Sequence, residues 1–97
     1  MTSHSFKKAM GATQAEFLRL LPNGLGSSSF TVDGKKIFFD AGQGKEVRID
    51  LGSESKRQIA LMVIPTMPVE IELSGFSDDE AAIFMRQFDR SYQRGGG

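Results

Sequence analysis

Residues 29–39 read SFTVDGKKIFF, and this segment sets the architecture expected for the whole chain. Two β-prone runs flank Asp33-Gly34, a dipeptide that supplies the positive φ angles of a type I′ hairpin turn. A two-residue turn fixes the register of the two strands and pairs Val32 with Lys35. Alternation along the second run then points Phe38 away from the core.

The sequence that follows continues as an antiparallel sheet. Residues 47–51 and 69–73 alternate apolar and charged side chains, which is typical of strands with one buried face. The continuous apolar run at residues 59–64 predicts a central strand covered on both faces. Residues 65–68 contain two prolines and are expected to close a hairpin, because proline cannot donate to a ladder. Since every connection is short, the strands are expected to pair antiparallel.

Two capping boxes predict one helix at each end of this sheet. Thr13 and Glu16 open a short helix that is expected to stop at residues 22–24, which read Pro-Asn-Gly. Residues 77–80 form the second box and open a longer helix, expected to run to about residue 93. Its core-facing stripe has helical spacing and consists of Ala81, Phe84, Met85, Phe88 and Tyr92.

The prediction is one α+β domain over residues 1–97. It consists of an antiparallel meander of about five strands, with a short N-terminal helix and a longer C-terminal helix packed on one face. Residues 1–11 are expected to be either a helical turn that aligns Phe6 with Met10 or a frayed, disordered tail. Residues 94–97 are expected to be a second frayed tail.

Composition excludes several chemistries. The 97 residues contain no cysteine, one histidine, and twelve basic against twelve acidic side chains. The absence of cysteine excludes disulfides, thiolate nucleophiles and Cys-based metal sites. The balanced charge disfavours nucleic acid as a partner. No apolar run approaches the roughly 20 residues of a membrane helix, and no signal peptide is recognisable, so no membrane association is expected and the cytoplasm is the expected compartment.

The candidate catalytic groups are few. His4 is the only imidazole and is expected to be solvated, so one chain cannot assemble a Ser-His-Asp triad or a His-rich zinc site. Glu70 and Glu72 share a strand face at a separation of roughly 7 Å. That separation suits a glycosidase-like pair or a hard cation, but strand alternation alone also produces it. We expect no enzyme activity, no cofactor and no metal.

The C-terminal helix offers the first candidate contact surface. Arg86, Arg90 and Arg94 recur at i, i+4 and i+8, with no acid four residues before Arg86 or Arg90. Ile83 lies near the same outward side of the helix. This arginine stripe is either a contact surface that binds carboxylates or phosphates, or the solvated back of a helix.

The outer sheet face is the second candidate, because it mixes Phe38 with Arg48, Glu70 and Glu72. Burial against a second copy would cover Phe38 and let Arg48 meet Glu70 or Glu72 across a two-fold axis. The leading hypothesis is a non-catalytic protein-interaction module that binds a protein partner or forms a homodimer. The alternative is a binder of a small anion, a nucleotide or single-stranded RNA through Lys36, Arg48 and the C-terminal arginines.

Overall fold

The computed structural model describes the backbone of residues 3–96 and the side chains of residues 3–92. The described part contains two helices and six strands, all paired antiparallel, which confirms the α+β prediction. In chain order the elements are β1 (Ser3–Met10), α1 (Gln14–Leu25), β2 (Phe30–Asp33), β3 (Lys36–Gly42), β4 (Lys45–Leu51), β5 (Ser55–Ile59), β6 (Met62–Ser74) and α2 (Asp78–Gly96).

The long strand β6 organises the sheet. The strand order is β1-β6-β4-β3-β2, and β5 pairs with β6 beyond the end of β4. Both helices pack on one face of this sheet, where the core includes the fully buried side chains of Phe17, Ile49, Ile71 and Phe88. The opposite face, called the outer face below, is not covered by either helix.

The β2–β3 hairpin forms where the sequence predicts it, but its turn lies one residue later. Val32 pairs with Ile37, so the turn residues are Gly34 and Lys35. Of these two residues, only Gly34 has a positive φ, of 63°. A type I′ turn needs a positive φ at both turn residues, whereas a type II′ turn needs it at the first alone, so the turn matches type II′. The change moves no side chain to the other face, so Ile37 is buried and Phe38 is 41% exposed.

Both predicted capping boxes are present. The Thr13 hydroxyl accepts a hydrogen bond from the Glu16 amide, and the Glu16 carboxylate accepts one from the Thr13 amide. Ser77 and Glu80 exchange the same two bonds at the start of α2. These bonds satisfy amide groups that have no partner within the helix.

Both helices end later than predicted. α1 passes through Pro22 and ends at Leu25, followed by Gly26 in the left-handed conformation. Packing explains the extension, because Gly24 lies so close to Phe88 of α2 that a Cβ there would be 3.2 Å from the ring. α2 is helical to Gly96, which overlaps the predicted frayed tail at residues 94–97; the side chains of residues 93–97 lie outside the described part.

Residues 3–10 form an edge strand, so the expectation of a helical turn or a frayed tail is wrong for them. β1 pairs with β6 along its full length, and Phe6 and Met10 pack against the core. A spacing of four residues fits two strand periods as well as one helical turn. His4 and Lys8 point inward as well. Because both are polar, the sequence of β1 does not show the alternation of apolar and polar residues that is typical of a strand with one buried face.

Residues 59–64 are not a central strand, and that prediction is wrong. β5 and the first part of β6 form a two-stranded hairpin whose turn is Ala60 and Leu61. We call this hairpin, residues 55–66, the arm. Every residue from 55 to 63 is exposed. The turn lacks the Gly, Pro, Asn or Asp that usually marks one, and Ala60 takes a positive φ of 55°.

The predicted hairpin at residues 65–68 is also wrong, because both prolines lie within β6. The Pro68 carbonyl accepts from the Gly52 amide, so Pro68 directs its polar groups toward the gap between β4 and β5. Successive residues of a strand direct these groups to opposite edges. Pro65 therefore faces the other edge of β6, where β1 has ended at Met10. The N–H groups that the two prolines lack would therefore not have bonded to a neighbouring strand. This is why β6 can contain both prolines.

Candidate interaction surfaces

The arm carries four of the large apolar side chains that the described residues expose: Ile59, Leu61, Met62 and Val63. Leu61 lies in the turn and is 98% exposed. Strand pairing places Ile59 and Met62 on one face, and Val63 with Gln58 on the other. The tip of the arm is therefore apolar on both faces.

The base of the arm is positively charged. Lys56 and Arg57 are exposed, and residues 55–66 contain no acidic side chain. Neither basic group forms an ion pair with any described residue. The outer edge of β5 has no strand partner within residues 3–96, so its backbone groups are free to pair with another chain.

The outer face brings three of the predicted site residues together. Phe38, Arg48 and Glu72 are cross-strand neighbours on β3, β4 and β6. Arg48 Nη1 donates to Glu72 Oε1 at 3.1 Å. Glu70 lies in the next row, with its Oε2 3.8 Å from Lys7 Nζ. Within the chain, Arg48 is thus paired with Glu72, and Glu70 lies near Lys7.

The predicted anion ligands of the sheet have acidic surroundings. A cavity of about 290 Å³ opens beside Phe38 and Arg48 and is also lined by Asp40, Glu46 and Glu72. In the neighbouring row, Lys36 lies between Asp33 and Asp50. Carboxylates outnumber the basic groups in both places and would repel a phosphate. The surroundings of Lys36 and Arg48 therefore do not favour an anion at the sheet.

The first half of α2 has its acidic groups largely tied to the sheet. Asp78 Oδ1 lies 2.9 Å from His4 Nε2, and Glu80 forms an ion pair with Lys45. Asp79 is exposed and forms no ion pair with a described residue. Of the three acids in the first turn of α2, Asp79 alone thus has no ion-pair partner among the described residues.

The predicted arginine stripe faces solvent. Arg86 and Arg90 are exposed and form no ion pair within the described part of the chain. Asp89 binds Lys8 at 2.9 Å and so does not compensate Arg86. Ile83 lies on the same side and is 59% exposed. The side chain of Arg94 lies outside the described residues.

His4 is not the solvated tail residue that the sequence suggests. It lies half-buried on β1 beside the first turn of α2, and its Nδ1 atom is buried without a hydrogen-bond partner among the described residues. No group of three or more His, Asp or Glu side chains in that part of the chain is arranged to hold a metal ion. Neither helix, over the residues described, is long and apolar enough to span a bilayer.

Among the described residues, Glu80 and Tyr92 have shifted pKa values. The hydrogen bond from Lys45, followed by that from the Ser77 amide, lowers the pKa of Glu80. Burial raises the pKa of Tyr92 well above its ordinary value. Both groups join α2 to the rest of the domain and lie outside the surfaces described above, so these shifts relate to stability.

Comparison of the chain with protein-family models, with curated proteins and with solved structures finds no match. Sequence reasoning identified the outer face and the α2 residues, but it missed the arm. No local signal in the sequence marks the arm, because its turn, Ala60-Leu61, lacks the residues that usually form one.

Proposed function

We propose that the protein is a small, non-catalytic, cytoplasmic protein-interaction module and that the arm is its main contact element. The observation that carries this proposal is the exposure of Leu61 and its three apolar neighbours on a hairpin that projects from the domain. Burial of apolar surface is the main driving force of association. Clustered exposed apolar side chains are typical of interaction sites.

The chemistry of the arm indicates the kind of partner. An apolar tip above Lys56 and Arg57 fits a protein groove that is apolar inside and acidic at its rim. The free edge of β5 can add backbone hydrogen bonds by pairing with a strand of the partner. The arm thus offers three complementary contributions to binding within residues 55–66.

The non-catalytic part of the proposal is supported by the pairing of the two candidate catalytic carboxylates. Glu72 binds Arg48, and Glu70 lies near Lys7. The cytoplasmic part rests on the sequence: small secreted domains are commonly stabilised by disulfides, and this chain has no cysteine.

Site-specific crosslinking tests the arm as a contact element. Because the chain lacks cysteine, Gln58→Cys introduces a single thiol on the arm for a photoreactive label and keeps the apolar tip, and Ser28→Cys places the same label in an exposed loop as a matched control. Each labelled protein is irradiated in extracts of cells that naturally produce it. We expect a discrete crosslinked protein from the Gln58→Cys label that is absent with the control.

Competition makes the result specific. Unlabelled wild-type protein should suppress the crosslink, whereas unlabelled Leu61→Ser/Val63→Ser should not, because it lacks two apolar side chains of the tip. Identical products from both labels, or equal suppression by both competitors, would contradict the proposal. A product of twice the chain mass would identify a second copy as the partner.

A further inference from the structure

The outward side of α2 carries a second surface that is independent of the arm. It consists of Asp79, Ile83, Arg86 and Arg90, called the α2 stripe below, and all four are exposed. Their spacing of four, three and four residues is the spacing of contact positions between paired helices. At 100° per residue they lie within roughly 60° of one another around the helix. The opposite side of α2 packs into the core through Met85 and Phe88.

The charges of the α2 stripe are complementary to themselves. Asp79 lies near the start of the helix and Arg90 near the other end of the stripe, and neither forms an ion pair with residues 3–92. Asp79 and Arg90 are equally distant in sequence from the midpoint between Ile83 and Arg86. If a second copy lies antiparallel on the stripe, an acid therefore meets a base at both ends.

We propose that two copies of the chain pair through their α2 helices, antiparallel, with the two-fold axis between Ile83 and Arg86. Asp79 of each copy binds the partner's Arg90, and Ile83 packs against the aliphatic part of the partner's Arg86. An acidic peptide or a nucleic acid fits this surface less well, because Asp79 would repel either one. The pattern of acid, apolar residue and base thus favours a second copy.

The dimer is expected to be weak. Exposed ion pairs contribute little, and one pair of helices over a stripe roughly 16 Å long buries less surface than a stable interface requires. We therefore expect a Kd on the order of 100 µM. Added salt should weaken the dimer further, because it screens the two ion pairs.

Charge reversal provides the test. Asp79→Arg places two basic side chains at each end of the pair, and Arg90→Glu places two acidic ones there. Each variant alone should have a dimer Kd at least about tenfold above that of the wild type. An equal mixture should recover dimers, because both ends of the mixed pair then join an acid to a base. Sedimentation velocity between about 10 µM and about 1 mM, around the expected Kd, measures each case.

The outcomes separate this proposal from that for the arm. Leu61→Ser should dimerise as the wild type does, and circular dichroism should show all variants folded. Should Asp79→Arg weaken the start of α2, Asp79→Asn and Ile83→Ser provide milder disruptions. A wild type that stays monomeric throughout, or variants that dimerise equally well, would overturn the proposal. Failure of the mixture to recover dimers would overturn the antiparallel arrangement.

Discussion

The hydroxyl of Tyr92 donates a 2.8 Å hydrogen bond to the backbone carbonyl of Phe17, 75 residues earlier in the chain, and joins α2 to α1. The two rings also stack, with centroids 5.0 Å apart and planes at 12°. Tyr92→Phe removes the hydrogen bond and keeps the ring. We expect the free energy of unfolding in urea to fall by about 1 kcal/mol. Unchanged stability would show that the bond makes no net contribution.

The same tyrosine predicts a loss of stability at alkaline pH. Burial raises its pKa in the folded protein above the ordinary value of 10.0. The neutral phenol therefore stabilises the fold fully below the ordinary value, and this contribution is lost as the pH rises through the folded pKa. Tyr92 is the only tyrosine and the chain has no tryptophan, so ultraviolet absorbance follows its ionisation alone. Tyr92→Phe is the control and should lack this part of the alkaline destabilisation.

Two glycines with similar backbone angles should respond differently to alanine. Gly75 and Gly34 have φ angles of 79° and 63°. A Cβ at Gly75 would overlap the carbonyl oxygen of Gly44, whereas one at Gly34 meets open space. Gly34→Ala should cost roughly 1–2 kcal/mol of backbone strain, and Gly75→Ala roughly 2–6 kcal/mol because a clash is added. Denaturant unfolding measures both, and equal losses would argue against the close approach.

The contact between Glu80 and Lys45 predicts an acid-sensitive contribution to stability. Their hydrogen bond lowers the pKa of Glu80 from 4.5. The stabilisation is therefore present above pH 4.5 and is lost as the pH falls through the lower, folded value. In Lys45→Met the Glu80 pKa should rise toward 4.5, as followed by carboxyl chemical shifts in a pH titration. A Glu80 pKa that is the same in both proteins would contradict this assignment.

Local signals in the sequence predicted the local parts of the fold. Thr13 with Glu16, and Ser77 with Glu80, identify both helix starts because the partners of a capping box lie three residues apart. Strand alternation likewise predicted that Phe38 lies on the outer face, and this prediction is correct although the turn is shifted by one residue. These features depend on neighbours in sequence, so the sequence contains what is needed to find them.

Features that depend on distant partners could not be predicted in this way. Phe6 and Met10 fit a helix and a strand equally well until β6 is known to lie beside them. The run at residues 59–64 is as apolar as a buried strand, and only the three-dimensional structure shows that no other element covers it. The same applies to the pairing of Arg48 with Glu72, which requires the register of β4 on β6.

Loss of an apolar side chain should lower the free energy of unfolding in the core of β6 but hardly change it in the arm. Leu61 is 98% exposed and Ile71 is fully buried, although both belong to the same β5–β6 segment. Leu61→Ser should change the free energy of unfolding by less than about 0.5 kcal/mol, whereas Ile71→Ala should lower it by roughly 2–5 kcal/mol because it leaves a cavity. Urea denaturation of both variants makes the comparison. A loss above about 1 kcal/mol for Leu61→Ser would mean that the Leu61 side chain stabilises the fold. Its apolar character would then be explained by stability and would not indicate a binding partner.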